Sequence, residues 1–492
     1  MPNSNPADLT VPTNALIYES PLATRNASPE MLAVFSPQRK FSMWRRIWLA
    51  LAEAQKQLGL LIDGKPITEE QLNEMRAHLD DIDYMEAAKQ EARVRHDVMA
   101  HIHTFGKAAP LAKPIIHAGA TSMDIVDNTD VLLTRDALEI IARKLATLID
   151  ALGTFAAQNR DLPCLAYTHL QPAQPTTVGK RAVLWAYDFV LALGDIELRQ
   201  QTMMLRGIKG ATGTQASFLE LFNGDHEKVR KLEYAVAERL GFARVHPVSG
   251  QTYSRLVDVQ VVSTLALIAA AAHKMAQDVR LLAAFKEMDE PFEAEQVGSS
   301  AMAYKRNPVL CERVTGLSRF LIGLMQQPLM TAGEQMFERT LDDSSNKRIT
   351  IPEAFLTADA CLDILIHVSR GLVVNKSVVQ SRLQAELPFM ITENVMMAAV
   401  KAGGDRQELH EKIRRHSMEA GAQVKIHGKP NDLLARLKSD AAFGQTNIDG
   451  AMNPLLYAGR SVQQVDEFVA GIIEPIRKRY TGKLKEKVRI KV

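Results

Sequence analysis

Residues 138–155 read LEIIARKLATLIDALGTF, and this stretch decides the class of fold that the sequence predicts. Its apolar residues step by three and four at Leu138, Ile141, Leu145, Leu148, Leu152 and Phe155. That spacing follows one face of an α-helix, and it predicts a seam that packs against other long helices.

Three more long helices are predicted downstream of this seam. Leucines recur every seven residues at Leu184, Leu191, Leu198 and Leu205. Residues 253–285 are apolar nearly all round through their middle, and such a helix must be buried on all sides. The fourth helix begins at Pro308 and runs to about Met330. The four helices together predict an elongated bundle within residues 127–330.

The flanking regions predict shorter helices, so the chain divides into three helical domains. Between residues 38 and 109 the helices are interrupted at Gly64-Lys65-Pro66. After Val374 they shorten again, and one begins at Asp405, whose spacing to Glu408 is that of a capping box. We therefore predict an all-α fold with an N-terminal helical domain at 1–121, a central long-helix bundle at 122–374 and a C-terminal helical domain with a basic tail at 375–492.

Charge and composition exclude nucleic-acid-binding proteins. The 492 residues are 46% apolar and 24% charged, which is ordinary for a globular protein with ample core. From Arg477 to the C-terminus there are eight basic residues and only Glu486 as an acid, so this tail carries +7. The rest of the chain is then near −5, since the total is +2. No basic field large enough for nucleic acid is present, and the tail is predicted to be solvated.

Cysteine usage and hydropathy predict a cytoplasmic protein. Cys164, Cys311 and Cys361 are too widely spaced for a disulfide framework, which favours a reducing compartment. Residues 1–14 contain no apolar secretion segment, and the apolar stretch 259–272 is too short to cross a bilayer. The chain has no phosphate-binding loop and no dinucleotide-binding turn, so side chains and helix ends must hold any nucleotide.

The most unusual segment is GSSAMAYKRNP at residues 298–308. Two hydroxyl residues follow a glycine, and a Lys-Arg-Asn group precedes a proline that can open a helix. This composition is unsuited to a core and fits a mobile loop that closes over an anion. The first three residues alone are more typical of a polar linker, but the whole string is much more specific.

Three other polar segments are candidates for chemistry. YTHLQPAQPTT at 167–177 places His169 in a loop that leads into a helix, although a loop histidine alone is more often structural. HAGATSMDIVDN at 117–128 places hydroxyls before a helix N-terminus, a ready anion site. RHDVMAHIH at 95–103 has three histidines, but the first two are five residues apart and no cysteine or acidic pair completes a ligand set. We therefore predict no metal site.

These segments resemble the signatures of the fumarase/aspartase superfamily, and the resemblance runs from about Tyr18 to about Arg460. It implies a homotetramer around shared long helices, with three subunits building each active site. It implies elimination of fumarate from a succinyl group attached to nitrogen, with no cofactor. The arginine-rich subset of matches favours the branch that acts on succinylated purine nucleotides and on succinylated aminoimidazole carboxamide ribotide. No membrane partner is implied.

The resemblance also assigns the reacting groups. Ser299 is the general base, which requires that the closed loop stabilise its alkoxide. His169 is the general acid, and Glu312 is the carboxylate that orients its ring. Glu312 also fits a first-turn glutamate favoured by the helix dipole. Lys305 and Asn307 hold the carboxylate that becomes a dianion.

The remaining assignments concern the substrate. The resemblance places Arg25 on a phosphate, and it places His96 near the phosphate or the leaving nitrogen as a further catalytic residue. The other substrate-binding residues that it implies are Asn26, Arg95, Asp97, Thr121, Ser122, Gln251, Arg313, Arg339, Ser344 and Arg348. Arginines are favoured for such an anion, although some of these fit surface ion pairs equally well.

Two positions depart from the family pattern, and two other functions compete. Ala303 stands where most members have proline, and Asn26 stands where some relatives have an aromatic residue. One competing function is another fumarate-forming lyase, such as argininosuccinate lyase, whose substrate has no phosphate. The other is a non-catalytic structural relative. The joint presence of four residues argues against it, namely His169, Ser299, Lys305 and Glu312.

Overall fold

The N-terminal part of the chain consists of short helices around one longer helix. The computed structural model of the chain describes residues 17–293, 295–484 and 490. The elements of this part are α1 (Pro29–Val34), α2 (Pro37–Gln57), β1 (Leu61–Ile62), β2 (Lys65–Pro66), α3 (Glu69–Ala77), α4 (Tyr84–Val94) and α5 (Asp97–Ala108). The long helix α2 starts where it does because the Ser36 hydroxyl accepts the N–H of Arg39 (3.2 Å) and Pro37 needs no partner.

The central part contains the four long helices predicted within residues 127–330 and a fifth long helix that follows them. Its elements are α6 (Ser122–Gln158), β3 (Pro163–Thr168), β4 (Gln171–Thr177), α7 (Val178–Thr202), α8 (Ala216–Leu221), α9 (His226–Arg239), α10 (Leu256–Ala284), β5 (Met288–Asp289), α11 (Val309–Leu324), α12 (Gln326–Glu334), α13 (Asp342–Gly371) and β6 (Val373–Val374). Helix α6 packs on α7 and α13, and α10 packs on α7, α11 and α13. The all-α bundle is thus confirmed.

One boundary of the predicted bundle is wrong, and one long helix beyond residue 330 was not predicted. The helix after Pro308 ends at Leu324 instead of Met330, and a separate helix follows. The fifth bundle helix, α13, was not predicted because it begins with a run of polar residues and contains Pro352. Its later turns are nevertheless buried in the core. Their burial, and not the polar composition of the first turns, holds this helix in the bundle.

The two apolar stripes of the bundle differ in exposure. Every residue of the seam in α6 is buried in the main core. The leucine stripe of α7 is about half exposed, at Leu184 (49%), Leu191 (54%) and Leu198 (52%), while Leu205 is buried beyond the helix end. Helix α10 is long and apolar enough to cross a membrane by length and composition, but it packs against three helices of the bundle.

The C-terminal part is again made of shorter helices. They are α14 (Lys376–Met390), α15 (Thr392–Lys401), α16 (Arg406–Lys425), α17 (Leu433–Ser439), α18 (Ser461–Phe468) and α19 (Glu474–Arg479). Asp405 caps α16 as predicted, because its side chain accepts the N–H groups of Gln407 (2.9 Å) and Glu408 (3.0 Å). The division into three domains at 121 and 374 stays a prediction, and one hydrophobic cluster joins α2 and α5 to residues near 205 and 245.

The beginning of the basic tail pairs with the bundle while it stays partly solvated. Arg477 (25% exposed) pairs with Asp150 (2.6 Å), and Lys483 (55% exposed) pairs with Glu139 (3.0 Å), both acids lying on α6. The basic residues therefore complement acidic side chains of the bundle. The rest of the tail and residues 1–14, for which no secretion segment was predicted, lie largely outside the described residues.

Candidate active site

A fully buried carboxylate fixes the start of α6. The N–H of Thr121 donates to Asp124 Oδ2 (2.8 Å), which caps the helix. Asp124 Oδ1 accepts the N–H of Lys209 (2.8 Å) and a hydrogen bond from the guanidinium of Arg206. Because Asp124 and Arg206 have no exposed surface, the first turn of α6, with Ser122, is held firmly against residues 206–210.

The junction between α4 and α5 lies beside this helix start. Arg95 ends α4 in the left-handed conformation (φ 51°), and His96 caps the start of α5. His96 Nε2 lies 3.4 Å from Ser122 Oγ. Asp97 accepts a hydrogen bond from Arg348 Nη2 (3.1 Å), which connects the junction to the first turns of α13.

A second pair of segments meets at Gln251 and Arg339. The N–H of Gln251 donates to the carbonyl oxygen of Glu338 (3.0 Å), and a Cβ on Gly250 would lie 2.4 Å from that oxygen. The approach is therefore possible only with glycine at position 250. Arg339 donates to Gln251 Oε1 (2.8 Å) and to Ser344 Oγ (3.0 Å).

These two groups of contacts form one set, because Ser344 and Arg348 lie one turn apart on α13. The structure thus brings together seven of the predicted substrate-binding residues. We call this set the binding cluster, and its members are His96, Asp97, Ser122, Gln251, Arg339, Ser344 and Arg348.

A buried ion network supports the binding cluster from behind. Arg255 donates to Asp343 (2.8 Å) and Asp127 (3.1 Å), and Lys347 donates to Asp127 (3.0 Å). Burial opposes the ionisation of Asp127, but Lys347 and Arg255 outweigh it and lower its pKa to about 2. None of these four residues was predicted from the sequence to have an individual role. Charged residues beside otherwise apolar helices were the signal that could have found them.

His169 occupies a turn that was not predicted from the sequence. The predicted loop is a hairpin, since β3 and β4 pair antiparallel with Thr168 opposite Gln171. The two residues of its turn, His169 (φ 54°) and Leu170 (φ 55°), both have positive φ, as a type I′ turn requires. Asn and Gly favour this turn, so Leu170 stores strain there and His169 fits the turn less well than Asn would. Both side chains are exposed at the tip.

The predicted anion loop is closed at its base and exposed beyond it. Asn307 Nδ2 donates to the carbonyl oxygen of Gly298 (2.9 Å), and a Cβ on Gly298 would lie 2.0 Å from the carbonyl oxygen of Lys305. Residues 300–306 are exposed, including the side chain of Lys305. The geometry fits a loop that is anchored at both ends and free to move between them.

Ser299 is the one hydroxyl of this loop that accepts main-chain hydrogen bonds. Its Oγ accepts the N–H groups of Ala301 (3.3 Å) and Met302 (3.1 Å). Donors directed at an oxygen favour its charged form and so lower the cost of an alkoxide. The side chain of Ser300 makes no hydrogen bond in the part of the chain that is described.

The remaining predicted residues lie around the start of α11 and the segment before α1. Glu312 is half exposed and lies 3.9 Å from Arg280 Nη2. Burial, followed by the charge of Arg25, lowers the pKa of Arg313, so the two guanidinium groups lie near each other. Asn26 donates to the carbonyl oxygen of Pro21 (2.8 Å) and thereby braces the turn that carries Arg25.

The chain does not by itself join all of these groups. Among the described residues, no hydrogen bond or ion pair connects His169 to Glu312 or to the binding cluster. No group of three or more metal-binding side chains occurs in the same residues.

Comparison with known proteins places the chain in a class of lyases. The model of the lyase family matches residues 25–323, and that of the adenylosuccinate lyase C-terminus matches residues 388–468. The chain therefore belongs to the lyase family of the fumarase/aspartase superfamily. Within that superfamily, it belongs to the adenylosuccinate lyases.

Curated relatives and solved structures agree with this placement. Adenylosuccinate lyase of Saccharomyces cerevisiae is 51% identical over 92% of this chain and 94% of its own length, and that of Schizosaccharomyces pombe is 48% identical over the same shares. The crystal structure of fumarate lyase from Mesorhizobium sp. BNC1 has a TM-score of 0.76 at 24% identity, over 92% of this chain and all of that one. At that identity the likeness supports the fold alone.

Proposed function

We propose that this enzyme removes fumarate from adenylosuccinate to give AMP, and that it also cleaves succinylaminoimidazole carboxamide ribotide in purine nucleotide synthesis. The single observation that carries the proposal is the pair of N–H groups directed at Ser299 Oγ in a chain of this family. A serine needs such donors to act as a base near neutral pH. A cytoplasmic location belongs to the same proposal, and the three buried free cysteines support it.

The reaction would proceed in two proton transfers. The Ser299 alkoxide takes a proton from the carbon next to one carboxylate, and the electron pair left behind spreads onto that carboxylate. Lys305 and the amide of Asn307 stabilise this dianion. The electron pair then forms the double bond of fumarate as the carbon–nitrogen bond breaks, and protonated His169 gives its proton to the departing nitrogen.

The binding cluster and Arg25 would hold the rest of the substrate. A phosphate and two carboxylates require several fixed cations, and Arg25, Arg313, Arg339 and Arg348 supply them with Arg95 nearby. His96, beside Ser122, would contact the phosphate or the leaving nitrogen. Thr121, at the start of α6, and Asp97, through Arg348, complete the proposed binding residues.

We also propose a homotetramer in which subunits share each active site. Leu184, Leu191 and Leu198 form an exposed stripe on α7 that a second copy of this bundle would cover. Glu312, which does not contact His169 within one chain, would then orient the His169 of another. Mixing the inactive variants His169→Gln and Ser299→Ala should restore part of the activity after subunit exchange. No recovery, with exchange confirmed by mass spectrometry, would place each site within one chain.

The proposed reaction is tested directly by ultraviolet absorbance. Purified enzyme should consume adenylosuccinate and release equimolar AMP and fumarate, while argininosuccinate should remain unchanged. Turnover of argininosuccinate alone would assign the chain to the competing lyase activity. Absence of turnover with both substrates would support a structural relative.

A further inference from the structure

A cavity of about 340 Å³ lies beside the binding cluster, between α2, α6 and α13. Most of its wall is apolar, with Phe41, Val126 and Ile351 among the lining residues. Ser344 and Arg348 of the binding cluster lie on its wall as well. The cavity and the binding cluster therefore share these two residues.

Lys40 on α2 also lines this cavity, and no role was predicted for it from the sequence. Its Nζ lies 5.3 Å from the ring centre of Phe41 and 5.1 Å from that of Trp44. The two rings hold the side chain in place by cation–π contact. The ammonium group is thus fixed at the cavity wall instead of reaching into solvent.

Three carboxylates act on Lys40 by their charge: Asp130 and Asp97 are committed to other cations, and Glu91 is exposed to solvent. Asp130 pairs with Lys347 (2.7 Å), and Asp97 pairs with Arg348 (3.1 Å). Among the described residues no carboxylate lies within 4.0 Å of Lys40. Burial and then the charge of Arg348 lower the pKa of Lys40, so its positive charge is only partly compensated.

We propose that Lys40 binds an anionic oxygen of the substrate in this cavity, together with Arg348 and Ser344. A half-buried cation that lacks a counterion is stabilised when a ligand anion enters. The class of ligand group is a phosphate or a carboxylate, both of which the substrate of the proposed function carries. The identity of the ligand rests on that proposed function.

The test replaces Lys40 by methionine, which fits the apolar wall and lacks the charge. KM for adenylosuccinate should rise roughly 10- to 100-fold because one charge-assisted hydrogen bond is lost from the bound state. The kcat should change by less than about twofold, since the bond is present before and during the reaction. Lys40→Arg should restore most of the affinity. Lys56→Met, on the same helix but paired at the surface with Glu69, is the matched control and should change nothing.

Binding measurements separate this proposal from the proposed reaction. Calorimetry with AMP needs no turnover, and Lys40→Met should weaken AMP binding if a phosphate occupies the cavity. If a carboxylate does, AMP affinity should be unchanged and inhibition by fumarate should weaken instead. A lower Tm with unchanged KM, AMP affinity and fumarate inhibition would reduce Lys40 to a packing role and overturn the proposal. Failure of the wild-type enzyme to turn over adenylosuccinate would overturn the proposed reaction, while the AMP comparison would still decide the role of Lys40.

Discussion

The binding cluster and the two loops with the proposed reacting groups are held in opposite ways. Behind the cluster lies a network of fully buried charges, in which Arg255 and Lys347 meet Asp127. The turn with His169 and the loop with Ser299 are exposed and make few contacts beyond their own bases. Pre-formed groups bind with little loss of entropy, whereas loops with few buried contacts open and close readily. The contrast suggests that the enzyme binds first and assembles its chemistry afterwards.

The largest loss of kcat is expected when Ser299 is replaced, because the proposed base is its single Oγ atom. Ser299→Ala should lower kcat about 10⁴-fold, the upper end for a positioned acid or base, because the carbon acid that it deprotonates is weak. Substrate affinity should remain, since the binding cluster is intact. Stopped-flow and equilibrium dialysis separate the two quantities. Ser300→Ala is the matched control and should be active; an inactive Ser300→Ala with an active Ser299→Ala would exchange their roles.

His169→Gln should have the next largest effect. A loss of roughly 10²–10⁴-fold in kcat is expected for a general acid, and the purine ring makes the lower part of this range reasonable by delocalising charge on the departing nitrogen. The protein should remain folded, because the side chain is exposed. Near-normal kcat in this variant would remove the acid assignment.

The strained turn makes a second test at the same position possible. Asparagine accepts positive φ more readily than histidine, so His169→Asn should lose activity while its free energy of unfolding stays equal or rises. Opposite signs for activity and stability would show that the strain is retained for function. A clear loss of stability would show that His169 supports the hairpin.

Removing a charge from the buried ion network should lower the free energy of unfolding. Asp127→Asn should lower the free energy of unfolding by roughly 3–5 kcal/mol, because two buried cations lose their shared carboxylate. The exposed pair Arg46–Asp80 is the control, and Asp80→Asn should cost less than about 1 kcal/mol. Urea unfolding of both variants measures the difference.

The pH dependence of this contribution has a definite sign. The folded pKa of Asp127 is about 2, below its ordinary value of 3.8. The charged carboxylate therefore stabilises the folded state above about pH 4, and this contribution is lost as the pH falls from 3.8 towards 2. The gap between wild type and Asp127→Asn should narrow over that range. A gap that stays constant would mean that Asp127 acts through packing alone.

The sequence predicted the bundle well and the site unevenly, for physical reasons. The α6 seam was readable because its apolar period is set by helix geometry. The α13 helix was not readable in this way, because its first turns carry the charged residues that form the buried network. A local sequence pattern cannot show which distant residue neutralises them. The hairpin at His169 was also missed, because histidine and leucine are poor residues for its turn. Lys40 gave no local signal either, since its distance from any carboxylate is visible only in the three-dimensional structure.

The smallest expected effect concerns Ala303, the unusual residue of the exposed loop. The N–H of Lys305 donates to the carbonyl oxygen of Met302 (3.0 Å), so Ala303 occupies the second position of a β-turn. Proline is favoured at that position because its ring fixes a suitable φ. Ala303→Pro should therefore leave kcat intact and favour the turn by about 0.4–1 kcal/mol through a narrower unfolded ensemble.

The gain should appear as a lower KM and as slower hydrogen exchange in residues 298–308 with substrate analogue bound. Ala301→Pro is the matched control, because the N–H of Ala301 donates to Ser299 Oγ and a proline would remove that donor. That variant should lose activity while Ala303→Pro keeps it. If Ala303→Pro were the more damaging of the two, the N–H of Ala303 would be in use in the closed loop. The loop at residues 298–308 would then be more ordered during catalysis than its few contacts in the free enzyme indicate.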